Sequence, residues 1–149
     1  MVNKLKALSL ILFLAVSCTN ISTGSDDGGE MIAQEYVSVD CPKGDISLFL
    51  EDNGTFVLEL KYWDSKENRH THSEKFSGQW SFKDNELELN GESTLVYKRD
   101  KSSFSIGEKT ANIDSLFWVS SSSKSFADTF TLVERTEIDN FFRSVIPKQ

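Results

Sequence analysis

The chain has 149 residues, 38% of them apolar and 11% aromatic, which is one domain's worth with enough apolar material for a packed core and excludes a large multi-domain enzyme. Sixteen basic side chains face 23 acidic ones, a formal net charge of -7, and without residues 1–17, which hold Lys4 and Lys6 and no acid, 14 face 23 for a net -9. A negative excess of this size repels phosphate backbones, so a basic nucleic-acid surface is excluded and no nucleic-acid partner is expected.

Lys4 and Lys6 precede the apolar run 8–16, a positive region and h-region of signal-peptide length that is too short to span a bilayer as a permanent helix. The run ends in Ala15-Val16-Ser17-Cys18, with small residues at the -3 and -1 positions and a cysteine immediately after. This tetrad resembles a bacterial lipobox, with Ala15 where leucine is commonest. The resemblance implies cleavage before Cys18, two or three acyl chains on the mature protein, and a lipid anchor in the bacterial outer membrane, periplasmic or surface-exposed. Residues 1–17 are therefore expected to be a lipoprotein signal peptide, 18–35 a lipidated tether, and 36–149 the folded domain. The tether is polar and rich in Gly, Ser and Asp, a composition that cannot bury enough surface to order itself. Its Ser25-Asp26-Asp27 cluster resembles the export signals that send some bacterial lipoproteins to the outer face; the same acids also solubilise a linker. With Cys18 acylated, Cys41 has no intramolecular disulfide partner.

The folded part reads with a period of two. Ile46, Leu48 and Leu50, then Phe56, Leu58, Leu60 and Tyr62, flank an Asp52-Asn53-Gly54 turn, which predicts a hairpin. Residues 63–74 are polar and read as a long loop or frayed strand ends. Phe76, Gly78, Trp80 and Phe82 restore the alternation, Asp84-Asn85 turns the chain, and Leu87 and Leu89 follow. Residues 91–93 make the next turn. Residues 95–99 and 104–106 read as short strands on either side of Asp100-Lys101-Ser102. Leu116-Phe117-Trp118-Val119 reads as a buried strand, and Phe126, Phe130 and Leu132 as a last one. Up to eight short strands joined mostly by tight turns predict an all-β fold, a small antiparallel β-barrel that closes or nearly closes on itself, because closure removes exposed edges. A short C-terminal helix completes it: Thr136-Glu137-Ile138-Asp139 has capping-box spacing, Ile138, Phe141, Phe142 and Val145 form one stripe, and Pro147 stops it.

Chemistry is sparse. No nucleophile and base pattern, glycine-rich phosphate loop or cofactor motif stands out, so the expectation is a non-catalytic protein without a cofactor. His70-Thr71-His72 places both imidazoles on one side of an extended segment, where Asp64, Glu67 or Glu74 could complete a metal site or the histidines could simply be solvated. Cys41 is the other metal candidate, and as a lone thiol it is equally a structural residue.

Asp40-Cys41-Pro42-Lys43-Gly44, the "DNGTF" turn, "FSGQWS" and "DNELELNG" together resemble the N-terminal domain of NlpE-like copper-resistance lipoproteins over residues 36–99, and more loosely small lipocalin-like lipoprotein domains. Those relatives carry a Cys-x-x-Cys pair before this hairpin. Cys41 matches the second cysteine, Ser38 stands at the first, and Lys43 is inserted before the glycine, so the dithiol for soft metal is missing. The first functional reading is a lipid-anchored envelope protein that binds a small apolar ligand or a protein partner; the alternative is a metal-responsive or envelope-stress-sensing lipoprotein using His70, His72 and Cys41. Intact-mass analysis of the membrane fraction is expected to show cleavage before Cys18 with acyl chains added, and Cys18→Ala to leave the chain unprocessed or released.

Overall fold

An alternating apolar set can turn to one side of a pleated strand, and this chain does so around a closed ring. The computed structural model describes residue 32, residues 34–39, residue 41, and residues 44–122 and 131–147. Cys18, the acidic cluster of the tether, and the expected strand residues Phe126 and Phe130 lie outside the described residues. Eight strands, β1 (Glu35–Ser38), β2 (Gly44–Leu50), β3 (Thr55–Asp64), β4 (Arg69–Lys83), β5 (Glu86–Asn90), β6 (Thr94–Ile106), β7 (Lys109–Ser121) and β8 (Leu132–Glu134), precede helix α1 (Arg135–Val145). Each strand pairs antiparallel with the next, and β8 returns to β1, so the expected antiparallel barrel with a C-terminal helix is what forms.

The interior is made by the inward phase of every strand. Tyr36, Leu48, Leu50, Phe56, Leu58, Trp80, Leu87, Leu89, Leu95, Tyr97, Leu116 and Leu132 form one buried cluster with Ile32, and Ile46, Leu60, Phe76 and Phe82 pack against it. Burying each of the larger apolar side chains contributes roughly 1.5–3 kcal/mol. A second cluster lies outside the wall, where Ile138 and Phe141 of α1 cover Val37, Ile113 and Val133. The turns are set by backbone chemistry: Gly54 takes φ 85°, and Asp84 and Asn85 both take positive φ, 53° and 62°, the pattern of a two-residue hairpin turn between β4 and β5. Gly78 is required by close approach, since a Cβ there would lie 2.0 Å from the Asn90 carbonyl oxygen.

Four local readings change and one is narrowed. Residues 63–74 follow the strand-end reading rather than the loop: β3 continues to Asp64 and β4 begins at Arg69, because the polar ends of a projecting hairpin keep their ladder without burying either face. No turn interrupts β6 at Asp100-Lys101-Ser102, where the strand stays paired with β7 through Lys101↔Asp114 and Ser102↔Ile113 and turns only at Gly107, φ 61°. Phe117, Trp118 and Val119 are in a strand but are 37%, 39% and 46% exposed, since β-propensity reports pleat and not burial. The helix is capped by the Glu134 carboxylate, which accepts from the Thr136 and Glu137 amides, while Asp139 instead accepts from Arg135 Nε at 2.9 Å. Thr136 lies inside the helix, so an acceptor two residues earlier reaches the free amides. Finally, Ile32 is buried and β1 starts at Glu35, so the ordered part begins before residue 36.

Trp80, 5% exposed, donates from Nε1 to the Glu51 carbonyl at 3.0 Å. In chemical denaturation Trp80→Ala is expected to cost about 3–5 kcal/mol, and the half-exposed Val119→Ala less than about 1 kcal/mol.

Candidate functional site: an outer groove and a buried polar cluster

The two histidines are separated by a β-bulge. Tyr62 pairs with His72 but Trp63 pairs with His70, so Thr71 is the extra residue and the register slips by one across it. A one-residue slip moves everything beyond it to the other face. His72 therefore stays on the inward phase, stacked on Tyr62 with ring centroids 4.3 Å apart. His70 turns to the outer face, edge-on to Trp63 at 5.2 Å, with its Nε2 2.9 Å from Asp45 Oδ2. This corrects the expectation of both imidazoles on one side. The carboxylates that could have assisted are engaged: Asp64 accepts from the Lys66 and Glu67 amides, Glu67 from Arg69, and Glu74 from the Tyr62 hydroxyl. Among the described residues no three His, Cys, Asp or Glu side chains group closely enough to hold a metal.

Cys41 is a free, half-buried thiol in the β1–β2 connection, where its carbonyl accepts from the Gly44 amide at 3.4 Å. Ser38, at the position of the resemblance's first cysteine, accepts a hydrogen bond at Oγ from the Ile46 amide at 2.9 Å. Its hydroxyl satisfies the start of the β1–β2 ladder.

The bulge also directs His70 into a recess on the outer face. A groove of about 510 Å³ runs between α1 and the outer face of β1 to β4. Arg135, Ile138, Asp139 and Phe142, at i, i+3, i+4 and i+7, form the helix wall; Asp45, Ser47, Lys61 and His70 form the strand wall; Val37 and Val39 lie between. Each wall carries its own polar pair, the Arg135–Asp139 ion pair and the His70–Asp45 hydrogen bond. Sequence reading misses this groove because its walls lie far apart along the chain, although the helical stripe supplies Ile138 and Phe142.

A second constellation lies within the wall. Asp114 is 3% exposed, and its carboxylate accepts from the Tyr36 hydroxyl at 3.0 Å and from Arg99 Nε at 2.9 and 3.0 Å. The Arg99 guanidinium stands 5.9 Å from the Phe82 ring centroid. Facing outward, the Asp114 amide donates to Glu137 Oε2 of α1 at 2.7 Å, and the other oxygen of Glu137 lies 3.8 Å from Lys101 Nζ. The available signal was a pair of opposite charges on the apolar phase, Arg99 two residues after Tyr97 and Asp114 two before Leu116.

Tyr97 contrasts with Tyr36. It is 2% exposed inside the barrel, and its hydroxyl makes no hydrogen bond among the described residues. Burial pushes its phenol pKa well above the usual value. A pKa raised in the folded state contributes stability that is fully present below the unfolded value near 10 and is lost as pH rises through the folded one. In equilibrium unfolding at pH 7, Tyr97→Phe is expected to be neutral or stabilising, and it should flatten the loss of stability above about pH 10. Arg99→Ala, which strands the Asp114 charge, is expected to cost about 3–5 kcal/mol.

Comparison with known proteins places these features. The family model for the NlpE N-terminal domain matches residues 38–116, more than half of the chain, and extends past the 36–99 stretch that carries the sequence resemblance. No curated protein and no solved structure matches significantly. The match covers the strand wall of the groove from Asp45 to His70 together with Arg99 and Asp114, and it ends before β8 and α1. With more than half its length matched, in a closed antiparallel barrel, the chain belongs to the NlpE N-terminal domain family.

Proposed function

We propose that this chain is a lipid-anchored protein of the bacterial cell envelope, held at the outer membrane through Cys18, that binds a protein partner on the outer surface of its barrel and catalyses nothing. Membership of a family of envelope lipoproteins supports the location. The observation that carries the binding mode is the apolar interior: twelve inward side chains from all eight strands and Ile32 pack into one buried cluster, which supports a core over a lipocalin-like cup. The groove lies outside instead, with Val37 and Val39 between polar walls, a surface suited to a polypeptide segment. Phe142, 38% exposed on the groove wall, is the natural aromatic anchor.

The family also favours a second reading, an envelope-stress sensor. Copper handling is the weaker form of it, since Ser38 is committed to the sheet and His70 and His72 face apart.

The test combines two measurements on the detergent-extracted full chain. Native mass spectrometry before and after mild organic extraction is expected to give the same mass, and copper or zinc at micromolar concentrations to add none. A photo-crosslinker at Phe142 is expected to trap one discrete envelope protein, with Arg135→Glu suppressing the adduct and a crosslinker at exposed Glu88 giving none. A fatty adduct lost on extraction would return the apolar-ligand reading to first place, and stoichiometric copper lost in Cys41→Ser would favour metal sensing.

A further inference from the structure

We infer that β8 and α1 form one releasable strap over the seam of the barrel, whose departure bares the strand edges of β1 and β7. The inference does not depend on the groove being a binding site. Closure rests on a strand of three residues, Leu132–Glu134. Among the described residues it pairs with β1 at Tyr36, Val37 and Ser38 and with β7 at Ser115 and Leu116, whereas β6 and β7 pair over twelve positions. No residue separates β8 from α1, so strand and helix leave together.

The strap is held from both sides of the wall but by few groups. Leu132 enters the interior, while Val133, Ile138 and Phe141 pack on the outer cluster. The polar pin is Glu137 on the Asp114 amide, with Lys109 donating to the Ser144 carbonyl nearer the helix end. On the groove side Phe142 and on the last turn Ile146 remain exposed, 38% and 64%. The rest of the ring does not need the strap to stay assembled. Tyr36 of β1 already reaches Asp114 of β7 beneath it, and the interior cluster draws on seven other strands. The family match also stops at Leu116, before either part of the strap.

Release would expose unpaired backbone groups at Tyr36–Ser38 on one side and Ser115–Leu116 on the other, the template used in strand addition. Segments held by short ladders and few buried side chains open at lower free energy than the core around them.

Hydrogen exchange with mass spectrometry on the full-length chain at pH 7 tests this. Residues 132–146 are expected to exchange as a unit, at least about tenfold faster than residues 56–60 and 87–89. Glu137→Ala is expected to speed 132–146 by about a further tenfold, a carboxylate hydrogen bond's worth, and to leave 56–60 and 87–89 unchanged. Asp139→Ala, which breaks the groove-side pair with Arg135 and not the pin, should leave the strap's rate within about threefold of the original. Exchange of 132–146 at the core rate, equal acceleration of all segments in Glu137→Ala, or an equal effect of Asp139→Ala would each overturn the strap.

Discussion

Asp114 ties the inside of the barrel to its outside. A carboxylate almost without solvent is tolerable only with a compensating charge and hydrogen bonds, and the Arg99 guanidinium, through Nε, and the Tyr36 hydroxyl supply both. The three come from β7, β6 and β1, with β8 standing between β7 and β1, so the cluster fixes the strands on either side of β8 in one register. An apolar core tolerates sliding better than such a cluster does, because a shifted strand would leave a buried charge behind. The amide of the same residue then faces outward to receive α1, so the position of the helix is inherited from the geometry of the interior pair.

Much of this was legible in residues 46–62 and 76–89, where one face of each strand is buried and the alternation is clean. It failed where both faces are partly wet. The far half of β6 is polar on both phases and reads as a turn, yet its ladder to β7 runs without a break. Phe117 to Val119 show the reverse case, a run that reads as interior and stands exposed on β7 beyond the two residues that pair with β8. β1 went unread because four residues beside a polar tether carry too little pattern, although Tyr36 and Val37 supply one buried side chain to each core.

The candidate residues were legible in kind more than in place. Cys41, Ser38, His70 and His72 drew notice by residue type, and Ser38 was rightly set apart from a thiol. Its hydroxyl accepts a backbone amide that a cysteine sulfur would accept only weakly. Arg99 and Asp114 were passed over because a charge in a strand is usually solvated, and only three-dimensional closure reveals that these two point inward at one another.

The bulge at Thr71 has a consequence for how such proteins are compared. Along β4, residue number and sheet face are decoupled: two histidines two positions apart sit on opposite sides of the wall, one stacked on an inward-phase tyrosine and the other on the rim of a groove. A pair of ligands aligned onto these positions from a relative with an unbulged strand would be superposed in sequence and separated by the thickness of the sheet. Equivalence on this hairpin has to be counted in ladder rungs rather than in residues, and a relative lacking one residue between the histidines would present a different surface at both faces with hardly any change in composition.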